Sequence, residues 1–519
     1  MNSKTQQHRA VNKWVVALVV MLPTFIEVMD TSVVNVSLPH IQGSMSAGVD
    51  EVTWVLTSYL VSNAIIIPIT GWLAGLFGRK RYLIFSILIF TIASVLCGAA
   101  PSLDVLILAR VLQGLGGGGL QPLSQAILFE TFPRREHGMA MAVFGMGVVM
   151  APIVGPVLGG WITDHWSWRW VFYINVPAGI LALFLTLLFI FDPSYIKRQI
   201  LRIDKWGLFF LALGLGALQV VLDKGERKDW LQSHFIIILS VIAVLSLIAF
   251  VITELYVEHP VVDLRVFKDS AFSAGTTIMF LGFFCLFGSF VLLPLYAQEL
   301  MGYTAFWAGL ILGPGGVSSF IVMPIAGFLM KKGVKPWLIL LPGLSITSYA
   351  LFMMSGFNLQ AGFFSIALPR LIQGVGLGGF FVPLAAATYV NIPIEQMGNA
   401  SGVFNLLRNL GGSFGVALSS TILSQRAQFH QTMLSQNITS YSPAFQSAYQ
   451  HALTFTQRNH MAASSKGALA FVYGEVLRQA SMLSFNDTFY VLAIATAAMT
   501  PLTLFLRKGS SGSAAAGMH

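Results

Sequence analysis

Arg110-Val-Leu-Gln113-Gly114-Leu-Gly116-Gly-Gly118-Gly119 and Arg370-Leu-Ile-Gln373-Gly374-Val-Gly376-Leu-Gly378-Gly379 are two copies of one pattern, 260 residues apart. The match continues at the same offset through Pro133 and Pro393, Gly138 and Gly398, Phe144 and Phe404, and Gly155 and Gly415. An earlier echo pairs Pro68, Gly71 and Leu73 with Pro324, Gly327 and Leu329. Each main copy sets a guanidinium inside an apolar helix. In hydrocarbon that costs roughly 2.5 kcal/mol or more, so the charge is expected to face protein or water. A duplicated chain with an intramembrane arginine in each half reads first as a transporter built from two repeats.

Composition agrees. Of 519 residues, 55% are hydrophobic and 10% charged, against about 25% charged in soluble domains. Apolar runs long enough to cross a bilayer recur along the chain. About fourteen are read, near 14–38, 52–74, 81–99, 103–128, 138–161, 169–191, 205–222, 234–255, 272–297, 306–329, 336–356, 363–389, 398–423 and 485–506. The first contains Asp30 and lacks a small-residue cleavage site, so it reads as a retained span rather than a signal peptide. The protein is therefore expected to be an all-α polytopic membrane protein.

Basic residues punctuate one side of these spans: Lys4, Arg9, Lys13, Arg79-Lys80-Arg81, Arg134-Arg135, Lys197-Arg198, Arg202, Lys205, Arg265, Lys268, Lys331-Lys332, Lys335 and Arg507-Lys508. The other side carries chiefly Arg169 and the Lys224/Arg227/Lys228 turn. The basic side is expected to be cytoplasmic, with both termini there. The net charge of +9 is thereby accounted for without nucleic acid. The repeat offset exceeds a six-span half by about one hairpin. The expected plan is a six-helix bundle over 1–195, an inserted hairpin and linkers over 196–262, and a second six-helix bundle over 263–508. That second unit includes an external loop over 424–484, in which Ser442-Pro443 opens a helix. A flexible tail, 509–519, follows.

Candidate chemistry is sparse. Glu27 and Asp30 lie three residues apart on one face of the first span, and Arg110 is their expected partner. An arginine neighbour favours a charged carboxylate, while removal from water favours a neutral one. A site opening to water on alternate sides could use that balance to carry protons; a fixed ion pair for helix packing is the other reading. Arg110, Gly114, Gln121 and Gln125 share a helical face, either a cavity wall or a set of interhelical hydrogen bonds. Gln113, Arg370 and Gln373 join the candidate cavity lining. So does a polar cluster of Asn405, Arg408 and Asn409, which lies outside the repeat. Pro152, Gly155, Pro156, Gly159 and Gly160 mark a span expected to kink for gating or to pack tightly. No Walker pattern, metal-ligand spacing or nucleophile–base set is found. Neither cofactor nor enzymatic activity is expected, and Cys97 and Cys285 are read as packing residues.

These motifs together resemble the major facilitator superfamily, in particular its fourteen-span drug:proton antiporters of the EmrB/QacA kind. Met29-Asp30-Thr31 through Asn35 to Leu38-Pro39 is similar to the first-span signature of that group. Gly71-Trp-Leu73-Ala74-Gly75-Leu-Phe-Gly78-Arg79-Lys80-Arg81 resembles the loop motif after the second span. Arg110 to Gly119 resembles the fourth-span motif associated with proton transfer. Gly155-Pro156-Val-Leu-Gly159-Gly160 resembles the antiporter motif of the fifth, and Trp168-Arg169-Trp170 through Asn175 to Pro177 fits the same group. Gly75 departs from the pattern, which usually has an acid there.

The resemblance implies the major facilitator fold: two six-helix bundles plus an inserted hairpin. It implies proton-driven export of hydrophobic or amphipathic drugs across an inner membrane, with Asp30, Glu27 and Arg110 in proton coupling. Gly71, Gly78, Arg79, Lys80 and the proline–glycine motif would serve gating. The long external loop resembles EmrB-type pumps, which implies a periplasmic adaptor and an outer-membrane channel. A carrier dedicated to one metabolite, or a non-transporting membrane sensor, are the competing readings.

Overall fold

The computed structural model describes residues 12–192, 204–258, 260–436, 438–439, 441–458 and 465–506. The expected linker charges Lys197, Arg198 and Arg202, the terminal charges Lys4, Arg9, Arg507 and Lys508, and the tail 509–519 lie outside them.

The chain is a succession of helices, without a strand among the described residues. The first half comprises α1 (Lys13–Met45), a short α2 (Val49–Val52), α3 (Trp54–Phe77), α4 (Arg79–Ala99), α5 (Leu103–Gly117), α6 (Leu120–Thr131), α7 (His137–His165), a short α8 (Trp170–Tyr173) and α9 (Asn175–Phe189). A hairpin follows, α10 (Lys205–Lys224) and α11 (His234–Tyr256). The second half holds α12 (Ser270–Leu295), α13 (Ala305–Lys331), α14 (Pro336–Met354), α15 (Phe363–Thr388), α16 (Met397–Gln436), α17 (Pro443–Arg458) and α18 (Ser465–Met499).

Local chemistry sets the boundaries. Asp204 caps α10 by accepting from the Trp206 and Gly207 amides, and Asp269 caps α12 by accepting from Phe272. Both satisfy amides that a helix start leaves without partners. Pro336 opens α14, where its missing N–H costs nothing. Gly78 separates α3 from α4 at φ +87°, a left-handed conformation that glycine adopts without strain.

Thirteen helices among the described residues are long and apolar enough to cross a membrane. The fourteenth expected span, 398–423, is present as α16 but is more polar, because its buried face carries Ser401, Asn405 and Arg408. The hairpin helix α11 shows the opposite pattern. Val241, Val244, Leu245, Ile248 and Ile252 are exposed on it, as suits a helix bathed in lipid.

The stretch 424–484, expected as an external loop with a helix opening at Ser442-Pro443, is largely helical. α16 runs through to Gln436, α17 starts at Pro443 and α18 begins at Ser465. At 1.5 Å per residue, 40-residue α16 spans about 60 Å, roughly twice the hydrocarbon thickness. The projecting parts are tied together: Arg426 Nε and His430 Nε2 lie 2.6 and 2.7 Å from Asp487 Oδ2. Gln and Ala are good helix formers, so a polar, Gln- and Ala-rich stretch supports helix as readily as loop.

The two halves meet along two seams, α3 against α16 and α7 against α13, with α10 of the hairpin touching both α3 and α16. Between them lies an aromatic layer. Phe144 stacks on Phe381 at 6.3 Å and Phe129 packs on Tyr389 at 4.4 Å between ring centroids.

The proline-containing helix α7 stays helical through Pro152 and Pro156. Its glycines allow close approach to α1: a Cβ on Gly155 would lie 2.5 Å from Ser32 Cβ, and one on Gly159 would lie 3.0 Å from the Val33 carbonyl oxygen. Gly160 faces open space. Ile153 and Val157 on the same helix reach Gly316 and Gly309 of α13. The motif thus seats α1 on one side and one of the inter-half seams on the other.

Candidate functional site

α1 delivers two carboxylates to two different places. Asp30 lies inside the first half, in contact with α5 and α9. Arg110 Nη1 donates to Asp30 Oδ2 at 2.6 Å, and both side chains are fully buried. Gln113 Nε2 and Asn175 Nδ2 donate to Asp30 Oδ1 at 3.0 and 2.6 Å. Arg110 also donates to Gln113 Oε1 at 2.8 Å and, through Nε, to the Val55 carbonyl at 3.0 Å. Ser94 Oγ accepts from Asn175 at 3.1 Å and from Gln113 at 3.3 Å. Charge-assisted bonds of this kind are about twice as strong as neutral ones. Removing one partner of a buried pair costs about 3–5 kcal/mol, because the other charge is stranded.

Glu27, one turn away, leaves this cluster. It accepts from Asn63 Nδ2 at 2.9 Å, from Tyr59 OH at 3.1 Å and from Gln121 Nε2. Gln121 Oε1 in turn accepts from Arg408 Nη2 of α16. A chain of hydrogen bonds therefore runs from Glu27 in the first half to Arg408 in the second. Beside it, Asn405 Nδ2 and Tyr389 OH donate to Gln125 Oε1 at 2.6 and 3.3 Å. Asn409 Oδ1 accepts from Arg408 at 3.2 Å. Arg408 Nη1 and Asn405 Oδ1 are buried without a hydrogen-bond partner among the described residues.

This geometry divides the residues expected to line one cavity. Gln121, Gln125, Asn405, Arg408 and Asn409 gather where the halves meet. Gln113 does not; it is part of the Asp30 cluster. The shared face read through Arg110, Gly114, Gln121 and Gln125 is interrupted at Gly118 and Gly119, where α5 ends and α6 begins. Arg370 and Gln373 remain inside the second half. Arg370 Nη1 donates to Gln373 Oε1 at 2.5 Å, Gln373 Nε2 to Ser289 Oγ at 2.8 Å, and the Arg370 guanidinium stacks 4.0 Å from the Phe290 ring centroid. A hydroxyl thus stands opposite Gln373 where Asp30 stands opposite Gln113, and no carboxylate pairs with Arg370 among the described residues.

A third group closes the end of the bundle that carries the basic loops. Arg79 makes a buried ion pair with Glu130. The Lys80 amide and ammonium donate to Asp192 Oδ1 and the Leu187 carbonyl, each at 2.7 Å. Gly71 lies against the other half: a Cβ there would sit 2.5 Å from the Asn399 amide nitrogen and 2.7 Å from the Gly398 carbonyl carbon. Glu136 takes Lys13 from its own half and Lys331, at 3.1 Å, from the other. Around Gly75 a Cβ would meet nothing within 4 Å, so Glu130 rather than that position supplies the acid for Arg79.

Sequence reasoning did not single out Ser94, Tyr59, Asn63, Glu130 or Asp192. Asn175 appeared only within a family motif. Each is an isolated polar residue in or beside an apolar helix, the one available signal, and periodicity does not say which neighbour it meets.

The fold and the paired intramembrane clusters define a two-bundle transporter scaffold. The major facilitator superfamily family model matches residues 20–416, and the chain belongs to that superfamily. It is 40% identical over 481 residues to the multidrug export protein EmrB of Haemophilus influenzae, covering 92% of each chain. It is 37% identical over 497 residues to the probable multidrug resistance protein EmrY of Escherichia coli, covering 95% of each. Among solved structures, the human organic anion transporter MFSD10 matches with a TM-score of 0.61 at 13% identity, over 93% of this chain and 99% of that one; this likeness speaks for the fold alone.

Proposed function

We propose that this protein is a multidrug efflux transporter that exports amphipathic toxic compounds by alternating access, driven by protons. Near-full-length similarity to proteins named for multidrug export supports the efflux reading. The observation that carries the proton reading is the fully buried Asp30–Arg110 pair with its Gln113 and Asn175 donors. Burial disfavours the charged form of a carboxylate and a neighbouring arginine favours it, so a rearrangement that alters either contact lets such a group take up or release a proton.

Asp30 carries the proton, Arg110 sets how firmly it is held, and Glu27 acts at the inter-half bridge. Substrate occupies the junction lined by Gln121, Gln125, Asn405, Arg408 and Asn409, next to the aromatic layer. Polar groups fix orientation there and adaptable apolar side chains accept varied shapes. The chain sits in the inner membrane with the basic end and both termini in the cytoplasm. The helical projection of α16, α17 and α18 then lies on the periplasmic side, where an adaptor protein leading to an outer-membrane channel would dock.

The test is Asp30→Asn in everted vesicles. Drug efflux driven by an imposed pH gradient is lost, while the variant inserts and is recovered in the membrane at the level of the unsubstituted protein. Full gradient-driven efflux by Asp30→Asn would overturn the proton assignment.

A further inference from the structure

Tyr59 touches both acidic clusters. It is 1% exposed. Its hydroxyl donates to Glu27 Oε1 at 3.1 Å, and its ring lies under the Arg110 guanidinium, 4.2 Å from centroid to Cζ. One turn earlier on the same helix, the Val55 carbonyl accepts from Arg110 Nε at 3.0 Å. One phenol thus touches the cation of the first cluster with its face and the carboxylate of the second with its edge.

Two glycines of the repeated motif make room for it. A Cβ on Gly114 would lie 2.5 Å from the Tyr59 carbonyl oxygen, and one on Gly117 would lie 2.9 Å from the hydroxyl. The second half shows that helix packing alone does not require a phenol there. Gly374 faces the Gly315 carbonyl as Gly114 faces that of Tyr59, so a glycine stands at the equivalent place. Arg370 there lies against Phe290, which has no hydroxyl, and no carboxylate pairs with that arginine among the described residues. The tyrosine is present only in the half that holds the acids.

We infer that Tyr59 is the positioning residue through which the Asp30–Arg110 pair acts on the Glu27–Gln121–Arg408 bridge between the halves. This rests on the proton-driven reading above. When Asp30 takes a proton, Arg110 loses its counter-charge, and its position is set by the contacts that remain: Val55, Gln113 and the Tyr59 ring. A ring is rigid, so a shift of the guanidinium on its face is delivered to the hydroxyl at its far edge. There it alters the hold on Glu27, and with it the link through Gln121 to α16. The charged groups around Tyr59 are Glu27 and Asp30 from α1, Arg110 from α5 and, through Gln121, Arg408 from α16. Protonation in the interior of one half is thereby converted into a change at the seam.

The experiment compares Tyr59→Phe, Glu27→Gln and the double variant, purified and monodisperse in detergent, with ethidium as the probe. Binding and ethidium-induced proton release are measured from pH 6 to 9. Tyr59→Phe keeps the ring under Arg110 and loses only the hydroxyl. Binding stays within about threefold, proton release per bound ethidium falls at least about fivefold, and adding Tyr59→Phe to Glu27→Gln changes nothing further, because the side-chain amide leaves no carboxylate charge for the hydroxyl to hold. Proton release by Tyr59→Phe equal to that of the unsubstituted protein overturns the inference. So does an effect of undiminished size in the Glu27→Gln background, which marks a merely structural role. Absence of ethidium-induced release from the unsubstituted protein instead overturns the proton-driven reading itself.

Discussion

Gly71→Ala adds one methyl group at the seam that closes the basic end. The new Cβ would lie 2.5 Å from the Asn399 amide nitrogen, 2.7 Å from its Cα and 2.7 Å from the Gly398 carbonyl carbon. All three are backbone atoms of a helix start, so no side chain can rotate away. The seam has little slack nearby, since a Cβ on Gly402 would lie 3.0 Å from the Ile67 carbonyl oxygen. Overpacking of this kind costs about 1–3 kcal/mol. The methyl group is penalised only in conformers whose basic end is closed, so the cost enters the conformational equilibrium directly. At 1.4 kcal/mol per tenfold, the closed-to-open ratio falls about 5- to 150-fold.

The assay is a pulsed electron paramagnetic resonance distance between spin labels at Arg135→Cys and Lys332→Cys, exposed residues in opposite halves at that end. Cys97 and Cys285 are buried and stay unlabelled. The distance distribution moves to the long component in Gly71→Ala, and efflux slows. Two controls come from the same helix and from the other seam. Gly75→Ala meets nothing within 4 Å and leaves the distribution unchanged. In Gly138→Ala the new methyl group lies nearest the flexible Met330 side chain, at 3.1 Å from Sδ, and shifts the distribution little. An unchanged distribution in Gly71→Ala with full efflux would refute the assignment of Gly71 to a closing seam.

Two further predictions follow from the buried and bridging polar groups. Asn175→Leu removes one of the three side chains that donate to Asp30; a hydrogen bond to a charged group contributes about 1.5–3 kcal/mol, so gradient-driven efflux falls at least about tenfold, measured in the same vesicles as Asp30→Asn, with membrane insertion retained. Glu136→Gln separates Lys13 from Lys331 across the basic end; because both lysines are partly exposed, water screens these pairs, and the spin-label distribution shifts the same way as in Gly71→Ala but less. That smaller shift vanishes in high salt, whereas the Gly71→Ala shift, being steric, persists.

Much of the architecture is legible in the chain. A span needs only about twenty consecutive apolar residues to announce itself, and thirteen of the fourteen spans do so. The exception is instructive. α16 meets α3, α6 and α10 as well as α12 and α18, so it is enclosed by protein and affords Ser401, Asn405 and Arg408 on its buried face. A hydropathy window tuned to lipid contact passes over a helix of that kind. Within the stretch 424–484 the sequence marks the start of α17 at Pro443, while the extensions of α16 and α18 into it carry no such signal.

The sequence by itself determined the repeated Arg-x-x-Gln-Gly pattern, the presence of acids in the first half without equivalents in the second, and the glycines at which helices come close. These are properties of residue type and spacing, and they persist whatever the fold. Only the tertiary structure decided where each polar group points. Glu27 and Asp30, three residues apart, differ by about 60° around α1 and 4.5 Å along it. That separation is enough to send Asp30 to Arg110 and Glu27 to Gln121 and the opposite half. Nor does spacing say that Asn175, 145 positions from Asp30, completes its shell, or that Tyr59 links the two clusters. Helix faces follow from the chain, but the partners across them follow from how the helices are stacked, and it is the partners that turn two intramembrane carboxylates into two different sites.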